Sequence, residues 1–179
     1  MYTNFDKILI SKEQLASKIS ELAKQISKDY DGLNPLFVCI LKGSVFFTTD
    51  LLKELTIPCE MEFMAVSSYG ADTKSSGEVK LVKDLNVPLF NRHVIIVEDI
   101  IDSGNTLSYL KRLLMQRNPA SVKICTLLDK PERRKVELQA DYKGFTIPDE
   151  FVVGYGLDYD EKYRSIPEIC ILKRSVYEK

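Results

Sequence analysis

Only one histidine occurs among the 179 residues, and the four cysteines form no C-x-x-C pair. A structural zinc site needs clustered sulfur and nitrogen ligands, so none is expected. Cys39, Cys125 and Cys170 each sit inside an apolar run, which predicts buried, reduced thiols acting as small hydrophobes. A nucleophilic cysteine is the weaker alternative, because nothing nearby in sequence would lower its pKa. Long hydrophobic runs are also missing. The longest strongly apolar stretch, 36–41, falls far short of the roughly 20 residues a membrane span needs. Residues 1–10 carry Asp6 and Lys7 and lack the apolar region of a signal peptide, so a cytoplasmic protein without membrane contact is expected. Nor is there an excess of charge of one sign. Lys and Arg number 25 against 26 Asp and Glu, a net charge of −1 with the histidine neutral. That balance argues against broad binding to nucleic acid or anionic lipid, while leaving room for a local basic pocket.

What is present is an ordinary globular composition, 45% hydrophobic and 28% charged. The length predicts a single domain over 1–179 with a self-sufficient core. Residues 11–30 read as an amphipathic helix: Leu15, Ile19, Leu22 and Ile26 share a face, and Ser11 with Gln14 forms a capping box. The apolar run 36–41 suits a strand buried on both faces. A helix over 45–55 and a strand over 59–66 follow. Residues 67–80, rich in serine and glycine, read as a long mobile loop. Residues 94–97 are the clearest strand, 98–104 a polar turn, 105–116 a helix and 122–128 another strand. Short strands are expected at 151–155 and 169–172. Residues 81–92 match no motif. The alternation predicts an α/β fold with a mostly parallel central sheet flanked by helices and a small cap or hood from terminal segments.

The chemistry concentrates in 94–107, VIIVEDIIDSGNTL. Four apolar β-formers lead into Glu98 and Asp99; Asp102 follows, then Ser103, Gly104, Asn105 and Thr106 at a helix start. In open α/β sheets, ligands bind beyond the carboxyl ends of strands. Free amides and the helix dipole there favour a phosphate. Carboxylates beside such a cradle need a reason: they can accept from sugar hydroxyls, hold Mg²⁺, or act as acid or base. Together these features point to a phosphorylated ribose. Other phosphate motifs fail, since no P-loop occurs and Gly154 and Gly156 open only an incomplete dinucleotide fingerprint.

This string resembles the phosphoribosyl-pyrophosphate (PRPP) motif of type I phosphoribosyltransferases. Leu41-Lys42-Gly43-Ser44, Ser67-Ser68-Tyr69-Gly70, Leu128-Asp129-Lys130 and the run FVVGYGLD from Phe151 to Asp158 are similar to the 6-oxopurine branch of that family, in the same order along almost the whole chain. The resemblance implies purine salvage: Mg²⁺-dependent transfer of phosphoribosyl from PRPP to N9 of hypoxanthine and guanine, giving IMP or GMP and pyrophosphate. It makes Ser103, Gly104, Asn105 and Thr106 the 5′-phosphate cradle. Glu98 and Asp99 fall at the ribose hydroxyls and the metal, and Asp102 becomes the acid/base near purine N7. Lys42, Gly43, Ser68, Tyr69 and Arg164 would contact pyrophosphate, with a cis peptide often preceding the lysine. Lys130 would donate to purine O6, Phe151 stack on the base, Val152 read its edge, and Asp158 join Glu98 and Asp99 as a metal ligand. A homodimer or homotetramer is implied.

Simpler readings exist for single residues: a helix N-cap for Asp102, a strand-to-helix turn for Lys42 and Gly43, a surface charge for Lys130. His93 is read as structural, at a strand start. A PRPP-sensing regulator of the same fold would predict a basic face or an added DNA-binding segment, and a transferase preferring xanthine is a further alternative.

Overall fold

The computed structural model describes residues 2–68 and 79–178. In chain order the elements are β1 (Phe5–Ile10), α1 (Lys12–Asp29), β2 (Leu36–Leu41), α2 (Val45–Glu54), β3 (Glu60–Ser68), β4 (Val79–Lys83) and β5 (His93–Ile101). They continue with α3 (Asn105–Met115), β6 (Ser121–Asp129), β7 (Tyr142–Thr146), β8 (Val152–Val153), β9 (Ile169–Leu172) and α4 (Arg174–Tyr177). Six strands form one sheet in the order β4-β3-β2-β5-β6-β7, parallel except for the antiparallel edge strand β4. The other three form a small antiparallel sheet, β1-β9-β8, which joins the two ends of the chain into the expected hood.

The continuous apolar runs follow from burial on both faces of the large sheet. Side chains alternate along a strand. Phe37, Ile95, Val97, Cys125 and Leu127 pack with α1 and α2, whose Leu15, Ile19, Leu22, Ile26, Phe47 and Leu51 are buried. Val38, Ile40, Val94, Ile96 and Ile124 face the other way, toward Leu107, Leu110 and Leu114 of α3. Cys39, Cys125 and Cys170 are buried as expected, and all four cysteines are free. Burial pushes the Cys125 thiol up and that of Cys170 up to about 11, away from thiolate character.

Several expectations need correction. The turn placed at 98–104 is shorter. β5 runs on to Ile101 because β6 keeps pairing with it, Glu98 opposite Thr126 and Ile101 opposite Asp129. Both acids therefore stand on a strand. The loop expected at 67–80 starts later and ends earlier: Ser67 pairs with Lys80 and Ser68 with Val79, while 69–78 lie outside the described residues. The strand expected at 151–155 shrinks to Val152–Val153, because the chain turns left-handed at Tyr155 (φ 49°). β1, β4 and β7 have too little local patterning to be expected from sequence. His93 opens β5 as read, its Nδ1 2.8 Å from Ser121 Oγ.

Helix α1 carries the full capping box. Gln14 N–H donates to Ser11 Oγ at 3.3 Å, and Ser11 N–H donates to Gln14 Oε1 at 2.9 Å. Ser11→Ala should therefore lower unfolding stability by about 1 kcal/mol, measured by denaturant titration.

Candidate active site

The carboxyl ends of β2, β5 and β6 meet the hood at two neighbouring cavities that share Ile100 and Asp158. The first, 370 Å³, is lined by Asp102, Lys130, Phe151, Val152 and Asp158 among others. The second, 300 Å³, is lined by Lys42, Gly43, Glu98, Asp99, Thr106 and Arg164. Residues far apart in sequence are thus brought to one mouth. Ser103, Gly104 and Asn105 adjoin it on the α3 side. The side chain of Ser68, and Tyr69 altogether, lie outside the described residues.

The α3 end is a helix start without a side-chain cap. Gly104 is the N-cap, left-handed at φ 83°. The first amides of a helix have no intrahelical partner. The loop's carbonyls are committed elsewhere: Ile101, Ser103 and Asp102 accept from Lys130 N–H, Lys135 N–H and Arg134 Nε–H at 2.9, 2.9 and 3.2 Å. Asn105 N–H reaches Ser103 Oγ at 3.3 Å, a long bond that an anion could replace. Asp102 is therefore not the helix cap. Its Oδ1 lies 2.7 Å from Arg133 Nε, an ionic contact outside good hydrogen-bond geometry.

The loop at 41–43 follows β2 with a cis Leu41–Lys42 peptide, as the resemblance implies. Gly43 sits where a Cβ would collide with the Asp99 carboxylate, and a Cβ on Gly156 would in turn strike the Gly43 carbonyl. Glu98 and Asp99 stand side by side, half-buried. Burial, and next the charge of Asp99, hold the Glu98 carboxyl well above the ordinary range; burial also raises that of Asp99. Two hard-oxygen donors crowded at the cost of their own ionisation suit a divalent cation, which would relieve both effects. The Glu98–Asp99 pair fits a divalent cation such as Mg²⁺, while Asp158 lines the same cavity but, among the described residues, does not join them in a preformed three-ligand cluster. Asp158 Oδ1 is 2.9 Å from Arg164, whose other nitrogen donates to Gly156 O at 2.8 Å.

In the first cavity, Lys130 is buried. Its Nζ donates to Glu150 O at 2.6 Å and lies 3.9 Å from Asp149. Burial lowers its pKa, yet its ammonium still has donors to spare. Phe151 stacks on Tyr177 at 4.9 Å between centroids and meets Tyr159 edge-on at 5.7 Å. Sequence reasoning missed Tyr177, Arg133 and Glu161. Tyr177 reaches the cavity only because the hood carries α4 there. Arg133 was hidden in the charged run after Lys130.

A family model described as the phosphoribosyl transferase domain matches residues 7–160. A hypoxanthine-guanine phosphoribosyltransferase of Streptococcus thermophilus is 53% identical over 173 residues, covering 97% of this chain and 96% of that protein. A bifunctional TilS/HprT protein of Listeria monocytogenes is 55% identical over all of this chain, which spans only 28% of that longer protein. The crystal structure of a Staphylococcus aureus hypoxanthine phosphoribosyltransferase superposes with a TM-score of 0.96 at 46% identity, covering 100% of this chain and 97% of that one. The chain belongs to the phosphoribosyl transferase family. The relatives it resembles within that family are the hypoxanthine and hypoxanthine-guanine phosphoribosyltransferases.

Gly43→Ala should abolish most turnover, because the added methyl displaces either Asp99 or the loop. Steady-state assay would show it. Near-wild-type kinetics would mean that the close approach does not matter.

Proposed function

We propose that this chain is a purine-salvage transferase of the cytoplasm, moving phosphoribosyl from PRPP to N9 of hypoxanthine, and of guanine, to give IMP or GMP and pyrophosphate. One observation carries the reading: a base-sized cavity with a buried lysine and an aromatic wall shares Asp158 and Ile100 with an acid-and-cation cavity at an uncapped helix start. Assembly as a homodimer or homotetramer belongs to the same reading, and nucleic acid is not a partner.

The 5′-phosphate sits against the amides of Ser103, Gly104, Asn105 and Thr106, where the helix dipole favours it. Glu98 and Asp99 accept from the ribose hydroxyls. The purine lies against Phe151, with Lys130 donating to O6 and backbone groups of Val152 reading the base edge. A 6-amino group would meet that ammonium donor to donor, so adenine is rejected. Lys42, the Gly43 amide and Arg164 hold the pyrophosphate. N9 bonds to C1′ as the bond from C1′ to the pyrophosphate oxygen breaks, and Asp102 takes the proton leaving N7. Catalysis is otherwise placement and charge neutralisation. Glu98, Asp99 and Asp158 are the residues that would hold Mg²⁺, which when bound offsets charge on the departing pyrophosphate.

Incubation with PRPP and Mg²⁺ plus hypoxanthine, guanine, xanthine or adenine separately, with assay for pyrophosphate, tests the reading. Hypoxanthine and guanine should react and adenine should not; a preference for xanthine would move the assignment. Lys130→Ala should erode discrimination against adenine in the same assay. Asp102→Asn should lower kcat by about 10²- to 10⁴-fold while PRPP binding, followed by calorimetry, survives. Equal loss of both would make Asp102 structural.

A further inference from the structure

We propose that Glu161 sets the affinity of this site for the pyrophosphate group by occupying, with its own carboxylate, the two cations that would hold that group. The inference rests on Lys42 and Arg164 as the pyrophosphate contacts. One oxygen, Glu161 Oε2, lies 3.1 Å from Lys42 Nζ and 3.3 Å from an Arg164 terminal nitrogen. A single internal anion thus bridges two cations contributed by the loop after β2 and by the hood.

The placement is built rather than incidental. Glu161 sits in a tight turn closed by the Tyr159–Lys162 backbone pair, with N–H to O distances of 3.1 and 3.0 Å. Asp160 and Glu161 are both left-handed, at φ 51° and 59°, a conformation costly for residues with side chains. Asp158 fixes it: Oδ2 accepts the Glu161 N–H at 2.9 Å while Oδ1 holds Arg164 at 2.9 Å. The turn therefore aims one carboxylate at the cations and anchors one cation with another carboxylate.

Two consequences follow from the charges. Two cations converging on one point repel each other, and Glu161 offsets that repulsion, keeping them in place before substrate arrives. The bridge is also easily exchanged. The Lys42 and Glu161 side chains are 66% and 65% exposed, and exposed ion pairs are weak. A pyrophosphate group offers several anionic oxygens at once and outcompetes one carboxylate. Each binding event must displace Glu161, and each release is eased as it pairs again. The residue trades affinity for turnover.

Kinetics and calorimetry of Glu161→Gln, with Mg²⁺ and inorganic pyrophosphate as the probe, decide the matter. The KM for PRPP and the dissociation constant for pyrophosphate should each fall about two- to fivefold, the scale of one exposed pair. The KM for hypoxanthine should not move. The gap between variant and wild type should narrow as salt rises, because exposed pairs are screened. Unchanged or weakened pyrophosphate binding in Glu161→Gln would overturn the proposal. Lys42→Ala separates the two levels. If it weakens pyrophosphate binding while Glu161→Gln does nothing, only the role of Glu161 falls. If Lys42→Ala leaves binding intact, the pyrophosphate assignment falls and takes this proposal with it.

Discussion

Two stretches of backbone and one carboxylate converge at Gly43, and the rest of the site is arranged around that meeting. The Asp99 carboxylate approaches from one side and the Gly156 turn of the hood from the other, each so near that a side chain would not fit. The contact fixes the small sheet against the large one at the point where chemistry is proposed. Lys42, Asp99 and Arg164 lie within one or two neighbours of it, and Arg164 itself grips the Gly156 carbonyl. A tertiary contact with no room for a side chain tolerates little drift, and the phosphoryl site proposed here needs that rigidity.

The electrostatics show the same economy. The chain is almost neutral, yet its charges are sorted locally. Acids at the end of β5 and cations from the loop after β2 and the hood line one cavity, and a helix start without a side-chain cap adjoins it. Glu98 and Asp99 are held above their ordinary range, a cost no packing core would retain without a cation or a sugar to repay it. The buried Lys130 is the counterpart in the other cavity, lowered by burial and held by a backbone carbonyl with a carboxylate 3.9 Å away. Groups strained in opposite directions, a few residues from a shared wall, mark a ligand site more firmly than either would alone.

The string from Val94 to Leu107 was legible because local order and chemistry coincide there: a buried strand, acids, and a helix start follow one another in sequence. The strand was nevertheless longer than its apolar part. Glu98 to Ile101 are held extended by β6, and polarity alone reads as a turn. β1 stayed illegible for a related reason. Its partner β9 lies at the opposite end of the chain, and a short, largely exposed strand carries little periodicity of its own. Tyr177 and Glu161 carry no motif. Their neighbours in space, Phe151 and Lys42, lie 26 and 119 residues away.

Taken by itself, the sequence determined the layer architecture, the capped first helix, the glycine bend after the central strand and the family resemblance, since each is written in contiguous residues whose spacing obeys backbone periodicity. Only the tertiary structure decided that two cavities share one wall, that Gly43 is wedged between a carboxylate and the hood, and that one glutamate spans two cations. Those facts depend on distances between segments far apart along the chain, and packing free energy, not local preference, sets such distances.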